Sequence, residues 1–271
     1  MPTHHNLVSD SEFVEETIRM LRECGNGNGK ACYLPATVVA DRILQIPDLD
    51  DAIAALVVSE MIRDDARLCL SDDGVLELTC ADVETCPLNK TDFVIVDVET
   101  TGASTPPCRI TEIGAFRVRE GGIIDEFETL VNPETPIPPF ISALTGITDG
   151  MVRHAPRFDE VVDDWLRFAG NSVLVAHNAS FDVRFLNHEI ARVFKERRMG
   201  NAHLCTVRLS RRVVPGLQNY RLHTVAAHFD VPIYNRHRAA GDSRATAEVF
   251  IRLLDLLHTK NVRTLAEARR F

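Results

Sequence analysis

Apolar positions fall into two regimes along this chain. Through the first 63 residues they recur at helical spacing: Phe13, Ile18 and Leu21 on one stretch, an apolar run over 36–44 on a second, and Ile53, Leu56, Val57 and Met61 on a third over 50–63. Two short runs, Arg67-Leu68-Cys69-Leu70 and Val75-Leu76-Glu77-Leu78, then flank Asp72-Asp73-Gly74, the signature of a hairpin. From residue 92 the pattern changes. Apolar runs over 92–98, 109–118 and 123–131 read as strands, the first apolar on both faces and therefore central in its sheet. Helical spacing follows over 139–144 and 158–168, then a short strand over 172–175, then helical spacing again over 180–194, 222–229 and 245–257. Three helices and a hairpin thus occupy residues 1–80. A stretch without periodicity at 81–91 links them to residues 92–271, an α/β layered domain with helices flanking a central sheet.

Charge sharpens this division. The 271 residues carry a net charge of −9, which argues against a polyanionic partner until it is divided. Residues 1–90 hold 17 acidic and 7 basic side chains, residues 91–183 hold 15 and 6, and residues 184–271 hold 7 and 17. The final third includes Lys195, Arg197, Arg198, Arg208, Arg211, Arg212, Arg221, Arg236 and Arg238, a local concentration that attracts polyanions. The first segment resembles a winged-helix module in its order of elements, but it is strongly acidic where DNA-binding modules are basic. Docking to a protein partner, or dimerisation, is its expected role. Gly25 to Lys30 is a turn and not a phosphate loop: three residues separate Gly25 from Gly29, Ala31 stands where Ser or Thr is required, and a helix precedes it. Seven scattered cysteines without a Cys-x-x-Cys pair suit reduced thiols. No apolar run approaches the roughly 20 residues that span a bilayer, and the first residues lack the order of a secretory signal. A cytoplasmic protein with no membrane partner is expected.

Four acids stand where solvent does not explain them. In Phe93-Val94-Ile95-Val96-Asp97-Val98-Glu99 the side chains alternate between faces, so Asp97 and Glu99 share one, about 7 Å apart along the strand. Two acids at the end of a buried strand repel each other and need compensation, which a divalent cation supplies. The alternative is that the strand has ended and both acids are in water. Asp182 begins a stripe continued by Leu186, Ile190 and Val193, and Asp242 one continued by Ala245, Val249, Leu253 and Leu256. Either could singly be a helix cap, a weak explanation for both together. His237 stands five residues before Asp242, and an ordinary pKa near 6.5 lets an imidazole be neutral and accept a proton.

Val96-Asp97-Val98-Glu99-Thr100-Thr101-Gly102, His177-Asn178-Ala179-Ser180-Phe181-Asp182 and His237-Arg238-Ala239-Ala240-Gly241-Asp242 together resemble the three motifs of the DEDDh family of 3′-to-5′ exonucleases. That family includes the proofreading (epsilon) subunit of bacterial DNA polymerase III and the exonuclease domain of Gram-positive polymerases. The likeness covers roughly residues 91–260, with further similarity at 111–115, 130–133 and 144–148, and leaves residues 1–90 outside it. The resemblance implies a ribonuclease H-like fold that hydrolyses DNA 3′ ends to nucleoside 5′-monophosphates, in proofreading or repair. It also implies two divalent ions, Mg²⁺ with Mn²⁺ as a substitute, ~3.5–4 Å apart. Asp97, Glu99 and Asp242 would hold one ion, Asp97 would bridge to the second with Asp182 acting through water, and His237 would take the proton of the attacking water. By the same resemblance Thr100 and Thr101 approach the terminal nucleotide, and Leu144 and Phe181 pack against bases of a single-stranded or frayed 3′ end. Ordinary helix packing is the equal alternative for Phe181. A DNA polymerase or repair protein, bound through the N-terminal module, is the expected protein partner. Two further readings stay open: an RNA-trimming exonuclease of the same family, and a non-catalytic adaptor, against which the five intact site residues argue.

Overall fold

The computed structural model describes residues 6–24, 33–63, 65–78, 84 and 86–271; the turn at 25–29 and part of the stretch at 81–91 lie outside the described residues. The chain divides into two compact units: Met1–Ala81 with Phe194–Gly200, and Asp82–Val193 with Asn201–Phe271.

In the first unit, helices α1 (Glu12–Cys24), α2 (Ala36–Arg42) and α3 (Asp51–Met61) stand with three short strands, β2 (Leu34–Pro35), β3 (Leu68–Leu70) and β4 (Val75–Leu78), in the antiparallel order β2-β4-β3. Asp50 starts α3 by accepting the Ile53 N–H at 2.9 Å. The β3–β4 turn carries Gly74 at φ 72°, a region that only glycine enters without strain. Val14, Ile18, Leu21, Val39, Val58 and Leu76 meet in the core. The helical stripes agree with the sequence reading in part: Ile18 and Leu21 are buried as expected, whereas Phe13, Ile53 and Leu56 are exposed and nearby Val14, Ala54 and Val58 are buried. Adjacent apolar residues offer two stripes at the same spacing, and the smaller side chains fit the space between closely packed elements. A further pair, β1 (Leu7–Ser9) with β9 (Arg197–Met199), is antiparallel with Leu7 opposite Met199. Within this unit Arg198 pairs with Asp10, and Arg197 donates to the Arg63 carbonyl at 2.6 Å.

The second unit is built on a five-stranded sheet of β5 (Phe93–Thr100), β6 (Ile110–Arg119), β7 (Gly122–Leu130), β8 (Val173–Ala176) and β10 (His203–Cys205), in the order β10-β8-β5-β6-β7. β5 is central, antiparallel to β6 and parallel to β8. Two short helices, α4 (Pro139–Thr145) and α5 (Asp149–Val152), follow β7. On one face α7 (Ala179–Val193) packs on β5, β6 and β8, while α6 (Phe158–Ala169) sets Trp165 and Phe168 against Phe127. On the other lie α8 (Thr206–Val213), α9 (Leu222–His228), α10 (Ala239–Thr259) and α11 (Leu265–Arg270), whose Leu209, Val225, Phe250 and Leu265 share one core with Phe93 and Ile95.

Several elements lie beyond the sequence reading. β10, α8 and α11 are new, and α10 begins six residues before the apolar stripe expected at 245. Residues 87–91 belong to the stretch read as a linker without periodicity. They form a 3₁₀ turn at Leu88–Lys90, with Leu88 buried and its N–H bonded to the Arg263 carbonyl at 2.7 Å.

The Phe93 and Phe250 rings meet edge-on at 4.8 Å, and both are fully buried. Phe250→Ala is expected to lower stability by about 3–5 kcal/mol, read as a fall in the urea midpoint with the slope unchanged.

Candidate active site

The β5–β6 ladder lays out the site residue by residue. On the face turned to α10 the opposed pairs are Phe93 with Val118, Ile95 with Phe116, Asp97 with Gly114 and Glu99 with Glu112. The first two pairs are apolar and lie under the body of the helix. At the third the side chain disappears: a Cβ on Gly114 would stand 2.3 Å from the Ala239 carbonyl carbon and 2.4 Å from the Ala240 nitrogen. The first turn of α10 therefore lies directly on strand backbone. It carries Asp242 to Asp97 and Glu99, so that a carboxylate oxygen from each of the three lies within 4.8 Å of the others.

The fourth pair holds that helix end in place. Glu112 is fully buried, accepts the Ala239 N–H at 2.7 Å, and accepts from Arg238 Nε at 3.0 and 3.1 Å and from its Nη2. An acid at the positive end of a helix, with an arginine at its side, is well compensated. Gly241 plays a matching part on the outer side, since a Cβ there would meet the Tyr234 carbonyl oxygen at 2.0 Å. The loop over it holds Asn235 and His237 at φ 52° and 62°, conformations that cost non-glycine residues energy and persist only under outside constraint. Part of that constraint is visible: the His237 N–H donates to Asp242 Oδ2 at 3.1 Å. His237 itself is half-buried.

Asp182 arrives from the other flank. β8 pairs with β5 only as far as Val175 opposite Ile95. Beyond that point the chain turns into α7, and Asp182 Oδ1 accepts the Val98 N–H at 3.2 Å in place of a neighbouring strand. The turn is pinned by His177, with Nε2 2.9 Å from the Tyr220 carbonyl and Nδ1 2.8 Å from Thr206 Oγ1. A carbonyl only accepts, so Nε2 donates and Nδ1 takes the threonine proton. Burial holds this imidazole down at about 4, and it stays neutral as a structural pin.

Crowded carboxylates without a counter-ion resist ionisation. Burial, then repulsion from Asp242, Glu112 and Asp182, pushes Glu99 up to about 8, with Arg238 opposing. Burial pushes Asp182 up to about 7 against the hydrogen bonds it accepts. Asp97 is raised well above the carboxylate range by burial and by Asp182, Glu99 and Asp242, and burial also raises Asp242. Asp242 Oδ1 is buried with no hydrogen-bond partner. Three hard oxygen donors, one of them orphaned, fit a hard divalent cation.

The four residues expected to touch substrate differ from one another in exposure. Thr100 and Thr101 are buried, with the Thr100 hydroxyl donating to the Gly102 carbonyl at 2.7 Å and Thr101 Oγ1 accepting the Arg109 N–H at 3.0 Å. Leu144 is 54% exposed on α4. Phe181 is half-buried with its ring 4.8 Å from that of Phe185. Sequence reasoning gave no part to Glu112, Gly114 or Gly241. A glycine inside a strand signals close approach of another backbone, and an acid two residues before it, between the apolar Ile110 and Ile113, was the companion signal.

The family model of the exonucleases (RNase_T) matches residues 94–250. The epsilon subunit of DNA polymerase III from Aquifex aeolicus is 37% identical over 168 residues, covering 62% of this chain and 83% of that subunit. This chain belongs to the exonuclease family. A PolC-type DNA polymerase III from Caldanaerobacter subterraneus subsp. tengcongensis is 43% identical over 180 residues, or 65% of this chain; the match spans only 12% of that polymerase. Among solved structures, exonuclease X in complex with 5′ overhanging duplex DNA aligns with a TM-score of 0.52 at 30% identity, over 65% of this chain and 98% of that one. The second unit thus has the ribonuclease H-like exonuclease fold. The family depends on divalent metal, and the acidic cluster that such an ion needs is present here.

Two outcomes are expected. A carboxyl whose folded pKa is raised binds protons more tightly in the folded state than in the unfolded one. Stability of the metal-free protein therefore falls as pH rises from about 4.5 through about 8. Melting curves in EDTA across that range should show the fall, and Mg²⁺ or Mn²⁺ should remove it; a flat profile in EDTA contradicts the cluster's electrostatics. Gly114→Ala should displace the start of α10, cost about 1–3 kcal/mol and weaken Mn²⁺ binding, measured by titration.

Proposed function

We propose that this chain is a divalent-metal-dependent 3′-to-5′ exonuclease that releases nucleoside 5′-monophosphates from DNA 3′ ends, in proofreading or repair. The observation that carries this reading is the convergence of Asp97, Glu99 and Asp242 within 4.8 Å, with a buried Asp242 oxygen left unpaired. In this reading those three residues hold one ion, and Asp97 with Asp182 serves a second. Bound Mg²⁺, or Mn²⁺ in its place, supplies neutralisation of the charge that develops on phosphate and acidifies the attacking water.

The chain's own residues do the rest. His237, on the loop tied to Asp242, takes the proton of the attacking water at its imidazole. Asp182 is aimed at the site by the Val98 N–H, and Glu112 keeps Asp242 in register through the start of α10. The hydroxyls of Thr100 and Thr101 are engaged within their own loop, so these residues meet the terminal nucleotide through main-chain groups. Leu144 and the open edge of Phe181 pack against unpaired bases, a contact that tolerates any sequence.

DNA is favoured over RNA by the named relatives, which are DNA polymerase III proteins, and by the neighbour solved on duplex DNA. We read the first unit as a winged-helix-like module from its order of helix, strand, two helices and hairpin. Its acidity turns it toward a protein, such as a polymerase or repair factor, rather than toward nucleic acid. The cytoplasm is the proposed location.

The test uses 5′-labelled single-stranded DNA and RNA of matched sequence. With Mg²⁺, stepwise shortening of DNA from the 3′ end and release of 5′-mononucleotides are expected, and EDTA should abolish both. Asp97→Asn should remove detectable turnover, while His237→Ala should lower kcat by about 10²–10⁴. Degradation that survives EDTA or Asp97→Asn contradicts the assignment, and preference for RNA would favour the trimming alternative.

A further inference from the structure

The basic character of the final third of the chain is unevenly used. Arg197 and Arg198 are taken up within the first unit, and Arg238 is held by Glu112. Three arginines of α8 are not. Arg208, Arg211 and Arg212 are exposed, and among the described residues none of them has an acidic partner; Arg211 lies over the Tyr220 ring at 5.7 Å. Together with Arg269, which is paired with Glu84, they line a cavity of about 530 Å³. Among the described residues, no acidic one lines it. His203, also in the lining, is held below its ordinary value by burial and by Arg269 and Arg208. A concave surface on which three of four guanidinium groups have no acidic partner among the described residues concentrates positive potential and recruits anions.

Position gives this cavity its meaning. Its lining also includes Asn178, Ala179 and Ser180, the turn into α7 and the first residues of that helix. Ser180 and Asp182 stand two residues apart on α7, so this part of the lining lies ~3 Å along the helix axis from the acid that approaches β5. The strands agree with this placement. β5, β8 and β10 are parallel, and their C-terminal ends at Thr100, Ala176 and Cys205 face the same way. The acids sit at the β5 end of that edge and the arginines beside the β10 end. The N-terminal end of α7, between the two, adds the positive pole of a helix.

We propose that this cavity seats the backbone phosphates of the nucleic-acid strand upstream of its terminal nucleotide, with Arg208, Arg211 and Arg212 neutralising them. The identity of the strand rests on the exonuclease reading above; the arginine seat itself needs neither metal nor turnover. Guanidinium groups match phosphate with paired hydrogen bonds and read no base, so the grip is independent of sequence. It would keep a strand registered while successive 3′ nucleotides are presented to the carboxylates.

The experiment is fluorescence anisotropy of a labelled short oligothymidylate with the full chain in EDTA, across a series of NaCl concentrations. For Arg208→Ala/Arg212→Ala we expect affinity to fall by about tenfold or more. The slope of log affinity against log salt should shrink by about 1.4, since each phosphate contact on a single strand contributes about 0.7. Arg208→Lys/Arg212→Lys should keep most of that slope, and Arg167→Ala, whose guanidinium pairs with Asp164 on α6, should change neither quantity. Wild-type affinity and slope in the double alanine variant would overturn the proposal. So would competition by thymidine 5′-monophosphate or inorganic phosphate as effective as that by the oligonucleotide, because the cavity would then be a mononucleotide or free-anion site. Binding without cleavage in Mg²⁺ would sink the exonuclease reading and leave this seat standing. Cleavage by the double variant with an unchanged KM would do the reverse.

Discussion

The backbone of α10 rests on the backbone of β6 at Gly114, and the arrangement of the acids follows from that contact. With any side chain at this position the helix end would stand off from the strand by the width of a carbon atom or more. Asp242 would then no longer share a 4.8 Å cluster with Asp97 and Glu99. Gly114 lies opposite Asp97 in the ladder, and Glu112 lies opposite Glu99. The two residues that seat the helix are thus the direct neighbours of the two acids that the helix must meet. Geometry and chemistry are laid out on the same four positions of two strands.

That seat has to work against repulsion. Four carboxyls with raised pKa values stand in one partly water-excluded cleft, and a fifth, Glu112, is buried at its edge. Only Glu112 has full compensation, from Arg238 and the end of α10. Asp182 and Asp242 are held by hydrogen bonds from main-chain N–H groups, Val98 to Asp182 and His237 to Asp242, which orient a carboxylate without cancelling its charge. A cluster of this kind is costly when empty and welcoming to a hard cation. Strain on the loop carrying His237 belongs to the same economy of constraint, since the residue keeps its left-handed backbone while bonded to Asp242.

Much of this was legible in the amino-acid sequence, and the parts that were not share a cause. Asp97 and Glu99 could be placed on one strand face because alternation along a strand is a local rule. Asp182 and Asp242 could be seen as the first members of apolar stripes. Glu112 and Gly114 were visible as residues, but their parts depend on the start of α10, more than 120 positions away. β1, β9 and β10 are three residues each, too short for a period to show. In the first unit, Phe13 beside Val14 and Ile53 beside Ala54 gave two equivalent stripes, and packing chose the smaller residue in each case. The basic third of the chain read as one cluster. Folding sorts it into arginines held by acids or carbonyls, such as Arg198, Arg238 and Arg197, and arginines left open, such as Arg208 and Arg212.

The claim at the centre is that Asp97, Glu99 and Asp242 form one cation site because Gly114 and Glu112 seat the start of α10. Anomalous diffraction at the manganese edge, from crystals of the wild-type chain soaked in Mn²⁺, tests it most directly. A strong peak is expected between those three carboxylates, with oxygens of all three at bonding distance. Manganese bound elsewhere on the molecule with that position empty, or Asp242 found turned away from the ion, would contradict it.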